Sequence, residues 1–516
     1  MKSNLLSFIF LGMLFFSKDA FSHDLICNKK NTCTPEEVEN ALSQAWNAVK
    51  VEDKVLNIKS DIVVDGVVSF NGNRNGALTI NGNNHRVTLK GMRLINMPNL
   101  SVKNLTFIGG GEPPVYDELI YVGSNAQHIS NGLFENVNII DSPRDALVIS
   151  RFNGFTYRKG KIENAGVSNV FYDERHYGSG IQAYNTNQLT IGGSVNDKVT
   201  FSKIPLKALY VGGIENQPIS VSNVNISYNE FQLFREDNDS RHIYGKCAGV
   251  AIYISQDPDY EDSNFISDFK ISNNNISGVS YNGIRINGRN HIVKNNVIDY
   301  RGSNNCNAKV GSHAIKSYDL LDSEITSNTI YNAGSGIVQN SSGPEGGKGV
   351  IQGNVISSNI IESNDIGIEI VGSGPIADNT ITLNSIKNAL NQGVILHSDK
   401  PETGARNKII NNAIVSYSSY ENSVISIKNN TDLYFERQWV RGDTPAGKYF
   451  IDLSGVTNSR FVESTFLSKQ LYGNQTVLFL NNLSLNNVVN GFEITSSSIC
   501  YDDRGNNNIL AKCKKL

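Results

Sequence analysis

Arg285 and Lys316 occupy the same position in two short segments of alternating apolar residues, GIRI at 283–286 and AIKS at 314–317. When such a segment forms a β-strand, its apolar residues point to one face and the residue between them points to the other. A lysine beside an arginine has its pKa lowered by the like charge, which suits Lys316 to the role of a general base. Arg285 could hold a carboxylate through two parallel hydrogen bonds, a contact that lysine cannot supply.

Tyrosines stand at corresponding positions of the neighbouring segments. The variable position of each segment and the position two residues later predict one outer face carrying Gln182, Tyr184, Tyr210, Ala251, Tyr253, Arg285, Asn287, Lys316, Tyr318, Val338, Asn340, Glu369 and Val371. Adjacent strands are about 4.8 Å apart, so these side chains would form one surface. Tyrosine rings stack on sugar faces, which favours a carbohydrate groove. The alternative is an ordinary solvated exterior, where Arg and Lys are common.

A base, a carboxylate ligand and tyrosine hydroxyls together match β-elimination on a polysaccharide that contains uronate. The reaction removes the proton next to the carboxylate and expels the 4-linked sugar, so it also needs an acid. We predict Lys316 as the base, Arg285 as the carboxylate ligand, and Tyr253 or Tyr318 as the acid. The predicted substrate-binding residues on this face are Gln182, Tyr184, Tyr210 and Asn287. C5 epimerisation shares the first step of this reaction and stays open as an alternative.

Two charged segments, YDERHY at 172–177 and the run REDNDSRH at 235–242, precede segments that carry the tyrosines. They could wall the same groove, and His176 and Arg241 are the substrate contacts predicted from them. The alternative is that both segments are simply solvated loops.

Hydrolysis by paired carboxylates is a second possible chemistry. An inverting pair needs roughly 6.5 to 9.5 Å between its carboxyl groups, a distance that sequence does not supply. The candidates, from loops or strand edges, are Asp145, Asp173, Glu174, Asp257 and Asp259. A third possibility is a non-catalytic protein that binds glycan through its tyrosines.

The acidic run QDPDYED at 256–262 is the one stretch that could hold a metal ion. Hard cations such as calcium favour oxygen ligands, but the run has no fixed ligand spacing and also reads as a solvated turn. The sequence suggests no cofactor other than calcium.

One template, small–apolar–variable–apolar, recurs along the chain. Its copies start at 146, 180, 208, 249, 283, 314, 336, 367 and 393, and the rhythm continues around Ile425, Ile451 and Leu478. Variable spacing of short strands is typical of a coil whose turns are joined by loops of different length. We therefore expect one repetitive domain rather than several globular ones.

A column of asparagines supports the coil. Each stands two residues before an isoleucine: Asn274, Asn296, Asn328, Asn359, Asn379 and Asn412. Asparagine tolerates left-handed backbone, and its amide can bond to the turns above and below, so these residues are predicted to be structural.

Helical periodicity appears at the start of the chain. The segment TPEE at 34–37 has an N-cap threonine, a proline at the first helical position and a glutamate that completes a capping box. An apolar stripe follows at Val38, Leu42, Ala45, Trp46 and Val49. A coil of strands has an open end, and this amphipathic helix is predicted to cover it.

LTING at 78–82, followed by the asparagine-rich segments, resembles the right-handed parallel β-helix superfamily of pectate lyases, polygalacturonases and phage tailspikes. The resemblance implies an all-β fold, a right-handed parallel β-helix, with a short capping helix. The expected organisation is a signal peptide at 1–22, the cap at 23–50, the β-helix at 51–498 and a disulfide-stapled tail at 499–516. The polygalacturonase signatures Asn-Thr-Asp and Arg-Ile-Lys are absent.

A narrower resemblance joins AIKS at 314–317 and ITSNTI at 325–330 with GIRI and HIVKNN at 291–296. These segments are similar to those of the alginate lyase and chondroitinase B family, where the catalytic base is a lysine in a Lys-Ser segment, which matches Lys316. The family's Arg-His-Gly on the next turn is NSS at 340–342 here, the GIRI segment precedes the lysine, and the Asn-Gly-Gly-Glu segment associated with calcium is missing. The resemblance therefore implies neither a catalytic arginine nor a metal.

The N-terminus has the pattern of an export signal. Lys2 precedes an apolar run at 5–16, and small residues surround a cleavage site before His23. The run is shorter than the roughly 20 residues that span a bilayer, and no later segment is longer. A secreted or periplasmic protein without a transmembrane segment is predicted.

Six cysteines in an exported chain favour disulfides. Cys27 with Cys33 and Cys500 with Cys513 are close in sequence, which leaves Cys247 with Cys306, although other pairings stay open. A formal net charge of −3 and the absence of a basic block argue against nucleic acid as a partner. Polysaccharide is the predicted partner, and the oligomeric state is not predicted.

Overall fold

Stacked parallel strands form almost the whole chain. The computed structural model describes residues 22–50, 54–73, 75–110, 118–166, 178–213, 221–234, 247–255, 266–301, 312–341, 349–400, 403–417, 422–443, 449–468, 475–495 and 497–516. Every pairing between its named strands is parallel, and strands away from the two ends pair with strands of the turns before and after them. The fold is the predicted right-handed parallel β-helix.

The first sheet carries the predicted face. Its strands are Glu118–Gly123, Asp145–Ser150, Ile181–Tyr184, Lys207–Gly212, Ala248–Ser255, Val279–Arg289, His313–Leu321, Thr329–Asn340, Ile360–Gly372, Gln392–Ser398, Ile425–Lys428, Tyr449–Ser454, Thr476–Leu480 and Ile499–Asp503.

The second sheet follows the first around a corner of each turn. Its strands are Phe152–Arg158, Asn187–Gly192, Val221–Ser227, Ile266–Ser272, Ile292–Lys294, Glu324–Thr326, Val355–Ser357, Thr380–Thr382, Lys408–Ile410, Tyr434–Glu436, Arg460–Val462, Val488–Asn490 and Ile509–Leu510. Short strands precede it in four turns, at Ile351–Gln352, Ile376–Ala377, Gly404–Ala405 and Asn430–Thr431.

The third sheet closes each turn. Its strands are Lys161–Glu163, Thr200–Ser202, Glu230–Gln232, Asn275–Ser277, Val297–Asp299, Ser385–Lys387, Ala413–Tyr417, Trp439–Asp443, Thr465–Ser468, Glu493–Ile494 and Lys514–Lys515, together with the first residues of Thr329–Asn340 and Ile360–Gly372. The N-terminal strands are His23–Asp24, Thr32–Cys33, Val55–Asn57, Ile62–Asn71, Leu78–Ile95, Leu100–Gly109 and Ile129–Ile140.

The register of the first sheet follows the sequence template with one exception. Ile284 pairs with Ile315, which pairs with Ile337. The copy placed at 249–252 is wrong by two residues, because Ile252, not Val250, pairs with Ile284. Ala251 is consequently the small residue of its turn and is fully buried, not outward. The strand pairing shifts its register between Ala248 and Val250, so the residues at 249–252 match the template in sequence but not in position.

The small residue of the template is a packing requirement. A Cβ on Gly283 would lie 2.7 Å from the carbonyl oxygen of Ala314 and 2.7 Å from Cγ2 of Ile298. Both distances are shorter than normal van der Waals contact, so the corner of this turn has no room for a larger side chain.

The asparagines are structural, as predicted, and they form two ladders instead of one. The first runs through Asn229, Asn274, Asn296, Asn328, Asn359, Asn384 and Asn412. The second runs through Asn354, Asn379, Asn407 and Asn430. Asn379 was thus placed in the wrong column, and Asn384 takes its position.

The two residues of an Asn-Asn pair have different structural roles. Asn295 takes the left-handed backbone conformation, with a φ of 54°. Asn296 is buried, and its side-chain amide donates to the Ile271 carbonyl and to Asn328 Oδ1, 3.0 Å away in both cases. The left-handed residue therefore turns the chain, and the next one joins consecutive turns.

The N-terminal helix is Pro35–Trp46, with the predicted capping box between Thr34 and Glu37. Its buried residues are Val38, Leu42, Ala45 and Trp46, which join the hydrophobic core. Val49 lies beyond the helix and is 98% exposed, so its placement in the apolar stripe was wrong.

Disulfides join Cys27 to Cys33 and Cys500 to Cys513, as predicted. Cys247 is also disulfide-bonded, and its predicted partner Cys306 lies outside the described residues, as does the predicted signal peptide up to residue 21. In the part of the chain that the structure describes, no helix is long and apolar enough to cross a membrane.

Candidate functional site

Aromatic rings run along the outer surface of the first sheet. Because Gln182, Tyr210, Tyr253, Arg285, Lys316, Val338 and Glu369 pair in this order, they form one column, which we call the tyrosine face together with the residues two positions later. The ring centres of Tyr184 and Tyr210 are 5.5 Å apart, and those of Tyr210 and Tyr253 are 5.6 Å apart. Tyr253 thus stands directly between Tyr210 and Arg285.

The guanidinium group of Arg285 lies among tyrosine rings. Its central carbon is 4.6 Å from the ring centre of Tyr253 and 4.9 Å from that of Tyr318. Cation–π contacts of this kind hold a guanidinium in place while leaving its N–H groups available to a ligand.

Lys316 is held in a similar way and is only 7% exposed. Its Nζ lies 5.2 Å from the ring centre of Tyr318 and 6.0 Å from that of Tyr281. Tyr318 therefore contacts both cations. Among the described residues, neither Arg285 nor Lys316 forms an ion pair with a carboxylate.

Lys207 is a third cation on this face, which the sequence reasoning missed. Its Nζ lies 5.0 Å from the ring centre of Tyr210 and 4.8 Å from that of Tyr253. Burial lowers the pKa of the Lys207 ammonium, and the charge of Arg285 lowers it further against the opposing effect of Asp145. Lys207 lies in a column of paired residues that also contains His313. This placement is visible in the strand pairing and not in the sequence template.

Asp145 and Gln182 support the end of the face. The Asp145 carboxylate is buried and accepts hydrogen bonds from the backbone N–H groups of Gly178 and Ser179, at 3.1 and 2.7 Å, and from the Gln182 amide. The Tyr184 hydroxyl in turn donates to Gln182. Both oxygens of Asp145 are thus engaged in holding the backbone and Gln182.

His313 and Tyr281 stand beside Lys316, and the sequence reasoning missed them too. Their ring centres are 6.1 Å apart in an edge-to-face arrangement. Burial, reinforced by the charge of Lys316, lowers the pKa of His313 to about 4. The imidazole is therefore neutral at pH 7, and its buried Nδ1 has no hydrogen-bond partner among the described residues.

Two carboxyl groups on the strands of this sheet also have perturbed pKa values. Burial raises the pKa of Asp319 to about 6. Burial and then the nearby Asp365 raise the pKa of Glu369, while the charge of Lys316 opposes them. Glu369 was predicted to be on the outer face, but neither carboxyl was singled out, since their burial is not visible in the sequence.

In the part of the chain that the structure describes, buried polar atoms without a hydrogen-bond partner lie on the strands that carry the two cations and on the next strand. They are Asn282 Nδ2 and Oδ1, Asn287 Oδ1, Arg289 Nε, His313 Nδ1, Ser317 Oγ, Asp319 Oδ1, Gln339 Nε2 and Oε1, and Asn340 Oδ1. Each such group costs about 1 to 3 kcal/mol unless water or a ligand satisfies it. Water or a polar ligand would therefore stabilise this part of the sheet.

Several predicted residues lie outside the described part of the chain. They are His176 and Arg241, the carboxylates Asp173, Glu174, Asp257 and Asp259, and the whole run 256–262 considered for calcium. Within the described ranges, no group of three or more His, Cys, Asp or Glu residues is placed to hold a metal ion.

Comparisons with solved structures find other proteins at low sequence identity. An alginate lyase from Paenibacillus sp. str. FPU-7 is 11% identical with a TM-score of 0.36, covering 69% of this chain and 94% of its own. An α-1,3-glucanase of Streptomyces thermodiastaticus strain HF3-3 is 10% identical with a TM-score of 0.41, covering 76% and 68%. The tailspike protein of E. coli bacteriophage HK620, in complex with a pentasaccharide, is 12% identical with a TM-score of 0.35, covering 92% and 76%.

No protein-family model matches the chain, and no curated protein matches it significantly. The assignment of the fold therefore rests on the strand pairing itself, and function has to be argued from the tyrosine face.

Proposed function

We propose that this protein binds an acidic polysaccharide along the tyrosine face and cleaves it by β-elimination. The observation that carries the proposal is the pairing of Arg285 with Lys316 in adjacent strands, with tyrosine rings around both and no carboxylate bound to either among the described residues. Covering two unpaired cations is costly unless an anion arrives with the covering molecule. A carboxylated sugar supplies both the anion and apolar ring faces for the tyrosines.

Arg285 is the proposed ligand of the uronate carboxylate. Its stacking between Tyr253 and Tyr318 orients the planar group, and two of its N–H groups can then bind both carboxylate oxygens. Neutralising the carboxylate stabilises the negative charge that develops when the neighbouring carbon loses its proton.

Lys316 is the proposed base, which acts after it has released a proton to solvent, and Tyr318 is the proposed acid. Lys316 Nζ takes the proton from C5, the electron pair forms the C4–C5 double bond, and the C4–O bond to the next sugar breaks. The Tyr318 hydroxyl donates a proton to the leaving oxygen. Tyr318 suits this role better than Tyr253 because its ring contacts both Arg285 and Lys316.

A hydrolytic reaction is the second candidate, and one observation favours it. The pKa of Asp319 is raised to about 6 and that of Glu369 is also raised, which is the direction that a carboxylic acid needs in order to protonate a leaving glycosidic oxygen. Such an enzyme would release reducing ends without forming an unsaturated sugar. An epimerase would release neither, but would exchange the C5 proton with solvent.

The experiment is a measurement of ultraviolet absorbance in the band of unsaturated uronate. Purified protein is incubated with alginates, pectate, glycosaminoglycans and bacterial exopolysaccharides, and each polymer is paired with its carboxyl-reduced form. A rise with one carboxylated polymer, and none with its reduced partner, is expected. If new reducing ends appear without the absorbance, the reaction is hydrolysis and not elimination. If the polymer binds and neither product forms, the protein is an epimerase or a binding protein.

We also propose that the protein acts outside the cytoplasm. Its disulfides Cys27–Cys33 and Cys500–Cys513 support this, because structural disulfides persist in oxidising compartments. N-terminal sequencing of the protein recovered from the medium or periplasm is expected to begin at His23. A protein that keeps residues 1–22 and stays in the cytoplasm would contradict the proposal.

A further inference from the structure

Ser426 and His397 form a hydrogen-bonded pair on the same sheet, away from the two cations. His397 Nε2 lies 2.7 Å from Ser426 Oγ. Ser426 follows Glu369 and Ile395 in the column that contains Lys316. Four strand spacings separate it from Lys316, or about 19 Å at about 4.8 Å each.

The histidine of this pair is neutral at pH 7, so a ring nitrogen can accept a proton. Burial, followed by the charge of Lys428, lowers the pKa of His397 to about 4, so the ring is neutral at pH 7. With its proton on Nδ1, the ring accepts the hydrogen bond of Ser426 through Nε2. This is the relation between nucleophile and base in enzymes that transfer acyl groups through serine.

The surroundings fit an ester with a small acyl group. Val371 pairs with His397, and Ile395 pairs with Ser426, which places two apolar side chains beside the pair. Lys428 pairs with His397 from the following turn. Its ammonium could stabilise the negative oxygen that forms when a nucleophile adds to an ester carbonyl.

We propose that Ser426 and His397 form a second catalytic site, which hydrolyses acyl esters. Ser426 Oγ forms a bond to the ester carbonyl carbon while its proton passes to His397 Nε2. The bond from carbon to the alcohol oxygen then breaks, and the alcohol leaves with that proton. Water, deprotonated by His397, attacks the acyl-serine, releases the carboxylic acid and restores the serine.

The class of ester follows from the position of the pair, and this step rests on the proposed function. A polysaccharide chain that crosses Arg285 and Lys316 and continues along the sheet would bring its O-acyl groups to Ser426. The second site would thus remove acyl groups from the polymer that the first site binds. Hydrolysis of a simple ester does not depend on that step.

The test combines labelling with turnover, using the full mature protein. A fluorophosphonate probe is applied, and the modified residue is found by peptide mass spectrometry. Hydrolysis of p-nitrophenyl acetate is measured in parallel, and acetate release is measured from an O-acetylated polysaccharide. We expect label on Ser426 and at least about 100-fold less hydrolysis in Ser426→Ala and His397→Asn. Thermal unfolding verifies that each variant is folded.

Ser454→Ala is the matched control. Ser454 pairs with Lys428, and its hydroxyl accepts a hydrogen bond from the Asn481 amide at 2.7 Å instead of facing a histidine. This variant is expected to keep hydrolysis within twofold. Absence of label on Ser426 of the wild-type protein, or equal hydrolysis by Ser426→Ala, would overturn the inference. If the wild-type protein hydrolyses the ester but forms no unsaturated uronate, the inference of ester hydrolysis stands and the elimination proposal fails.

Discussion

Arg285 and Lys316 are paired residues of two adjacent parallel strands, so their backbones are about 4.8 Å apart along the axis of the coil. Among the residues that the structure describes, tyrosine rings are their contacts and no ion pair is formed. An anionic ligand could therefore bind beside the two cations.

Replacing Lys316 by alanine is expected to abolish elimination, with a loss of about 10²-fold or more in kcat, since proton transfer by a positioned group contributes this much. The measurement is the initial rate of uronate absorbance on the active polymer. Lys294→Ala, on the second sheet, is the control and should keep the wild-type rate. Activity retained in a folded Lys316→Ala protein would remove Lys316 from the mechanism.

Replacing Arg285 by lysine keeps the charge and loses the planar, bidentate group. We expect kcat/KM on the carboxylated polymer to fall about 10- to 100-fold, the equivalent of about 1.4 to 2.7 kcal/mol. Binding of the carboxyl-reduced polymer, followed by calorimetry, should change little. Arg301→Lys, whose guanidinium is exposed and paired with Asp299, is the control. An equal loss of affinity for both polymers would show that Arg285 does not recognise the carboxylate.

Tyr318→Phe and Tyr253→Phe separate the two candidate acids. Each change keeps the ring contact with Arg285 and removes only the hydroxyl. The Tyr318 variant should lose about 10²- to 10⁴-fold in kcat with little change in KM, whereas the Tyr253 variant should lose less than about tenfold. Steady-state kinetics on one polymer decides this. A larger loss of kcat in Tyr253→Phe than in Tyr318→Phe would show that Tyr253 is the acid.

Asn274 and Asn275 offer a matched pair for the ladder. The buried Asn274 side chain accepts from Asn229 and donates to the Ile226 carbonyl and to Asn296, whereas Asn275 is exposed. Asn274→Ala should lower the free energy of unfolding by at least about 2 kcal/mol, because each buried group left unpaired costs about 1 to 3 kcal/mol. Asn275→Ala should stay within about 0.5 kcal/mol of wild type. Chemical denaturation measures both, and equal effects would mean that the ladder contributes little.

The buried histidines predict a loss of stability in mild acid. Burial is the main cause that lowers the pKa of His291, His313 and His397 to about 4. Between about pH 6.5 and 4 the unfolded chain binds protons at these sites and the folded chain does not, so stability falls as the pH falls. Asp319, with its pKa raised to about 6, opposes this trend within the same window.

Guanidinium unfolding at several pH values between 4.5 and 7 measures this slope. His291→Asn removes one histidine whose ring accepts from the Phe269 N–H and contacts the Asn287 carbonyl. The variant will be less stable throughout, but its slope with pH should be smaller than that of the wild type by up to one proton. An unchanged slope would show that His291 does not titrate in this window.

Much of the tyrosine face was predictable because the relation between a strand and its faces is local. The alternation of apolar and variable residues placed Arg285 next to Lys316, and the structure agrees. The same reasoning failed at 249–252, where the residues match the template in sequence but the strand pairing is shifted by two residues. Spacing alone could not show this, since loop length differs in every turn.

The sequence by itself determined the repeated strand, the capping helix, the structural role of the asparagines and the side of the sheet on which the cations lie. Each of these follows from the order of residues within a few positions. The tertiary structure alone decided that Lys316 is buried, that the asparagines form two ladders and that Ser426 meets His397. These depend on which turns lie next to each other and how closely they pack, and residues 29 positions apart become neighbours only when the coil has closed.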